Sequence, residues 1–178
     1  MLQTSRETQY KGLTVEQGRT KLTVNHNGAD LTFLHPAYGP DTYANVRGAI
    51  LEGGLKPPTM AETASLVCGA FNSSGKYSKE IKNIIDRSWL WAFTGTLFVP
   101  KGAYIQDDPE IRNGVPFMEE SELVRKLEMN DPSVRFVPFG YDTEEMTLAH
   151  LAKNAYLMGL AGEEGAENQP GTTVKTVI

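Results

Sequence analysis

Hydrophobic and polar positions alternate or recur along this chain in distinct blocks. Thr20–Val24 and Leu31–Leu34 are short apolar-alternating runs separated by Asn27-Gly28, which predicts a hairpin. From Asp41, a capping residue, Tyr43, Val46 and Ile50 recur at helical spacing to about Leu51, and Gly53-Gly54 stops the run. Thr59 and Glu62 have capping-box spacing after Pro57-Pro58, with Met60, Ala64, Val67 and Phe71 predicted on the inward face. Ser78 is expected to cap a third helix to about Asp86, buried through Ile81, Ile84 and Ile85. Trp89–Pro100 holds both tryptophans and no charge. It reads as a strand buried on both faces or a core strand of a mixed sheet.

Beyond it the pattern weakens. Lys101–Pro116 is polar and broken by Pro109 and Gly114, which predicts a surface loop with a short extended piece at Tyr104-Ile105. Glu119–Met129 has the spacing of a helix with Leu123, Val124 and Leu127 inward. Val134–Phe139 reads as a strand, and Pro138 suggests its end or a sheet edge. A last helix is predicted from Thr143 or Thr147 to Gly162, burying Leu148, Leu151, Ala152 and Ala155. Strands and helices do not alternate regularly enough for a doubly wound sheet. An α+β fold follows, with more helix than strand. The expected organisation is an arm or hairpin over 1–28, one globular domain over 29–162, and a linker or terminal strand over 163–178.

Composition narrows the class. With 40% hydrophobic and 22% charged residues the chain is of ordinary globular type. Seventeen basic against 22 acidic residues, a net charge of -5 with no Lys/Arg cluster, argue against a nucleic-acid partner. A single cysteine, Cys68, excludes an intramolecular disulfide and a cysteine zinc site. Its place inside a helix points to a small buried side chain rather than a nucleophile. No apolar run approaches the ~20 residues of a spanning helix, and no secretory signal is seen, so a cytoplasmic or virion-borne protein is expected.

Candidate chemistry is sparse. His26, His35 and His150 lack the i+2 or i+4 partners of a metal-binding strand or helix. Gln106–Gly114 has the acidity of a calcium loop but not its glycine position. Gly159–Gly165 follows a helix instead of opening one, and its glutamates would repel phosphate. Tyr77, Trp89, Trp91 and Phe93 lack the interleaved cations of a base-stacking surface. No hydrolase, kinase or metalloprotease string occurs, and no cofactor is expected. If there is an enzyme here, it is a metal-dependent hydrolase whose site gathers distant residues, with His35, Asp107, Asp108 and His150 as candidate ligands.

Four strings in order carry a resemblance: Leu55–Val67 (LKPPTMAETASLV), Trp89–Ile111 (WLWAFTGTLFVPKGAYIQDDPEI), Asn130–Tyr141 (NDPSVRFVPFGY) and Leu160–Glu167 (LAGEEGAE). Together they resemble the variable proteins of diversity-generating retroelements in nanoarchaea, other small archaea and their viruses, over about Leu34 to Glu167. The resemblance implies a C-type-lectin-like fold, a small mixed or antiparallel sheet with helices and long loops. It also implies a non-catalytic scaffold that binds a protein or surface ligand. Helices at 41–51 and 60–71 or 78–86 would be the scaffold pair, and the aromatic run a central strand. That family continues into a diversified C-terminal region, whereas this chain runs from Glu167 into NQPGTTVKTVI. No ligand-contacting position is therefore carried over. A viral assembly component is the other non-enzymatic expectation.

Overall fold

The computed structural model describes residues 15–16, 19–88, 90–139 and 153–167. The class is α+β, as expected, with helices and small antiparallel sheets. Contacts gather into two compact units. One runs to Pro57 and resumes over Glu62–Trp91; the other combines Pro58–Ala61 with the chain from Ala92 onward.

The first unit begins with β1 (Val15–Glu16), β2 (Arg19–His26) and β3 (Ala29–His35), an antiparallel sheet in that order. The β2–β3 turn is Asn27-Gly28, with φ of 51° and 81°, the left-handed pair that a two-residue hairpin turn requires. Register pairs Leu22 with Phe33 and Val24 with Leu31, so one face of the hairpin is apolar. That face packs against Leu66 and Ala70 of α2 (Met60–Phe71) and Ile81 and Tyr77 of α3 (Lys76–Arg87). On the opposite face Thr23 and Thr32 bond each other in solvent.

Helix α1 (Tyr43–Glu52) starts one residue later than Asp41 suggests. Thr42 is the cap, its hydroxyl accepting from the Asn45 N–H, while Asp41 accepts from the Thr42 N–H and the Asn45 amide. Helix α2 has the expected length but turns a different face inward. Thr63, Ser65, Leu66, Gly69 and Ala70 are buried, and Met60, Ala64, Val67 and Phe71 are half-buried. Small side chains on the inward face let the hairpin approach closely, a choice that hydrophobic spacing does not encode. Ser78 lies inside α3 rather than capping it. Gly75 is the cap, and the buried Ser78 hydroxyl meets that of Ser73 at 2.9 Å. Ile81 is buried as expected, whereas Ile85 is exposed.

The second unit overturns the expectation about the aromatic run. Only Thr94–Val99 forms a strand, β4, which lies at one edge of a three-stranded sheet. Trp91 and Phe98 are 40% and 62% exposed, and only Phe93 of the run's described aromatics is buried. The centre belongs to β5 (Gly102–Asp107), inside the segment expected to be a loop. Its residues Gly102–Gln106 are all buried. A strand paired on both sides and covered by a helix on each face is buried even without a long apolar run, so GAYIQD can be central while WLWAFTGTLFV is not. The hairpin β6 (Ile111–Arg112) and β7 (Val115–Pro116) follows, turning at Asn113-Gly114 with φ of 53° and 82°.

Helix α4 (Glu120–Glu128) and β8 (Val134–Pro138) complete the sheet region. On one sheet face Leu97, Tyr104 and Phe136 stand in register and pack with Val134 against Leu123 and Leu127 of α4. Val124 is exposed, contrary to its expected inward place. The other face carries Thr96, Ile105 and Arg135 in one row and Phe98, Ala103 and Val137 in the next. Here lies α5 (Ala155–Glu167), interrupted at Gly162 with φ of 75°. At Gly159 a Cβ would stand 2.8 Å from Val137 Cγ2 and 3.1 Å from Ile105 Cδ1. Glycine at that position lets the α5 backbone lie close on the sheet. Residues 143–152, the start of the expected last helix, lie outside the described residues; Ala155 is exposed.

Candidate functional site

Three groupings of side chains rise from this framework. In the first unit the helix-facing row of the hairpin ends in polar tips. His26 Nδ1 lies 2.9 Å from Ser65 Oγ, and Asn27 Nδ2 lies 3.2 Å from His26 Nε2. With the amide donating to Nε2, Nδ1 carries the hydrogen and donates to Ser65. A histidine that donates to a serine does not take its proton, and Ser65 is buried in mid-helix. The pair ties β2 to α2. No sequence signal announces it, because its members stand 39 positions apart.

His35, one of the four candidate ligands, closes the same row. Its Nε2 donates to Glu80 Oε2 at 2.8 Å, and its ring meets Tyr77 edge-on at 5.2 Å. Tyr77 reaches Thr20 at 3.3 Å, and Lys76 stands 3.9 Å from the other Glu80 oxygen. This cluster joins β2 and β3 to α3.

Asp107, the second candidate, sits at the end of β5 in the second unit and is held by two neighbours. Oδ1 accepts from Thr94 Oγ1 at 2.7 Å and from Arg135 Nη2 at 3.1 Å, and Oδ2 accepts from Arg135 Nη1 at 2.6 Å. The Thr94 hydroxyl in turn accepts the Met60 N–H at 2.9 Å, the first residue of α2. Arg135 Nε donates to the Gly159 carbonyl at 2.6 Å, within the last turn of α5 before its interruption. One carboxylate and one guanidinium thus serve a helix N-terminus and a helix C-terminal turn with matching signs. Asp108 has φ of 48° and donates its N–H to the Phe93 carbonyl at 2.7 Å. His150 lies outside the described residues. Among the described residues no three His, Cys, Asp or Glu side chains gather to hold a metal ion.

The third grouping is apolar and exposed. Phe98 of β4 and Phe139, just past β8, stack at 6.2 Å with 21° between ring planes. Tyr156 of α5 tilts against Phe98 at 5.7 Å, its hydroxyl 3.4 Å from Thr96 Oγ1. Phe98 is 62% exposed and Phe139 45%. Single exposed apolar residues are ordinary, but two stacked phenylalanines, one from each strand flanking β5, form a surface at the end of the sheet. The sequence pattern assigned Phe98 to a core strand and missed this surface. The available hint was Pro100-Lys101, a turn immediately after the run.

No family model, curated protein or solved structure matches this chain. No helix among the described residues is long and apolar enough to cross a membrane.

Proposed function

We propose that this chain is a non-catalytic binding or scaffold domain that captures a protein through the aromatic surface of Phe98, Phe139 and Tyr156. The observation that carries it is the solvent-facing stack of Phe98 on Phe139, held in place by strand ends and by α5. Rigid aromatic side chains supply large contact area at low entropic cost, which makes them frequent anchors of interfaces. The titratable groups described above point the same way. His26, His35 and Asp107 each bond a neighbouring side chain, in arrangements that tie elements of one unit together. A binding scaffold also agrees with the resemblance to retroelement variable proteins and the C-type-lectin-like fold it implies.

The test places a photo-activatable phenylalanine analogue at position 98 of the full chain, with Asn83 on α3 as the control position. Cross-linking to one identified protein from position 98 alone, lost on Phe139→Ala, is the expected result. Equal labelling from both positions would remove the surface from consideration. Cross-links only between copies of the chain would favour an assembly role instead.

A further inference from the structure

The sheet of the second unit has two edges, and they differ in a way that bears on what the surface binds. Backbone bonds from Asp107 N–H to Ser133 O and from Phe139 N–H to Lys101 O turn the odd-numbered groups of β8 toward β5. Pro138 therefore stands at an outward position, where it offers no N–H, and closes that edge to a further strand. On β4 the bond from Asp108 N–H to Phe93 O turns the odd-numbered groups inward in the same way. Thr94, Thr96 and Phe98 then point their N–H and C=O outward. At the Thr94 end, residues 58–60 already lie alongside, because Phe93 N–H donates to Pro58 O and Met60 N–H to Thr94 Oγ1. Thr96 to Phe98 remains open among the described residues. The strand Thr-Gly-Thr-Leu-Phe-Val carries no charge and no proline, the usual devices that blunt an edge.

We propose that this open edge of β4 receives an extended peptide segment of another protein as an added strand. An apolar or aromatic side chain of that segment sits on Phe98 and Tyr156, and an acidic one sits beside Lys101. The inference rests on the binding reading above and names its partner. Area decides between a peptide and a second folded copy. Phe98 and Phe139 together expose about one phenylalanine's worth of surface, roughly 200 Å². A stable interface between folded partners needs about 800 Å² on each side. A peptide strand needs less, since its affinity comes from main-chain hydrogen bonds and its selectivity from alternate side chains. Charge supplies the acidic preference. Lys101 is exposed in the turn where the open edge ends, next to Phe139, and has no carboxylate partner among the described residues.

The probe is a phage-displayed library of random eight-residue peptides selected on the full chain, the enriched sequences then being synthesised. Enriched peptides should pair an aromatic residue with an acidic one. Binding should fall by roughly tenfold or more on Phe98→Asp, the loss of one anchoring contact. On Lys101→Glu it should fall about three- to tenfold, with loss of its salt dependence. N-methylation of every second peptide amide should abolish binding in one phase and spare it in the other, a readout that leaves the protein untouched. Peptides that bind regardless of methylation phase or of Phe98, or a library with no enrichment, would overturn strand addition. Concentration-dependent dimers that dissolve on Phe98→Asp would assign the edge to a second copy and overturn it equally. If cross-linking at position 98 still identifies a protein while these peptide results fail, the binding reading stands without the strand; if both vanish, both fall.

Discussion

Replacing Arg135 with methionine tests the network that holds α5 on the sheet. The guanidinium makes two bonds to Asp107, at 2.6 and 3.1 Å, and one to the Gly159 carbonyl at 2.6 Å. Its side chain is 29% exposed and that of Asp107 22%. An exposed ion pair contributes about 0–1 kcal/mol, and breaking a buried one costs about 3–5 kcal/mol. This pair lies between, so Arg135→Met should cost about 2–3 kcal/mol, much of it from leaving Asp107 with Thr94 as its remaining side-chain partner. Asp107→Asn keeps an oxygen to accept from Thr94 and from one guanidinium nitrogen, and should cost about 1–2 kcal/mol. Made together, the two substitutions should cost less than their sum by about 1 kcal/mol, since each alone strands the other's charge and the pair of changes strands none. Urea unfolding gives the totals, and amide hydrogen exchange over residues 155–161 shows whether α5 is the part released. A loss below about 0.5 kcal/mol with unchanged exchange in α5 would refute the reasoning. Were Asp107 instead a metal ligand, Asp107→Asn would remove a stoichiometric ion and Arg135→Met would not.

Three further expectations follow from single contacts. Gly159→Ala puts a methyl 2.8 Å from Val137 Cγ2. It should destabilise the second unit by about 1–3 kcal/mol, read in urea unfolding; a neutral result would show that α5 can lift without cost. Thr94→Val removes both the donor to Asp107 and the acceptor for Met60 N–H. A loss of about 1–2 kcal/mol with faster exchange at the Met60 amide is expected, and unaltered exchange there would contradict it. The Thr42 backbone N–H, and after it the Asn45 amide, hold the Asp41 carboxyl below its ordinary range. A lowered folded-state value means that its contribution to α1 is present above about pH 4 and fades as pH falls through the folded value. Carboxyl titration by NMR should place the Asp41 midpoint below that of an unstructured aspartate, and a midpoint at or above it would contradict the capping geometry.

Local chemistry made part of this fold legible in the residues. The two Asn-Gly steps carry their own turn geometry, since few other residues accept the left-handed conformation. Both form hairpin turns in which each Asn and Gly has positive φ. Helices α1 to α4 stand close to where caps, glycines and 3.6-residue spacing put them, because helical bonds are made within the segment. The inward faces were less legible. Thr63, Gly69 and Ala70 of α2 are buried, and a hydrophobicity pattern passes over them. Pro138 marked an edge from sequence because a missing N–H is a local property with a tertiary consequence.

Strand order and side-chain partnership had to wait for the folded chain. Whether a strand is central depends on which segments lie beside it, so GAYIQD became the core strand and the aromatic run an edge with Phe98 in solvent. The bonds that tie His26 to Ser65, His35 to Glu80 and Asp107 to Arg135 join residues 39, 45 and 28 positions apart. The residue types alone offered histidines and aspartates as metal candidates. Hydrogen-bond geometry, a property of three-dimensional neighbours, is what shows His35 joined to Glu80 and Asp107 to Arg135. Elements whose bonds close within a few residues can be read from the order of residues. Everything that depends on a partner distant along the chain, including the open edge and the aromatic surface, is set by the fold.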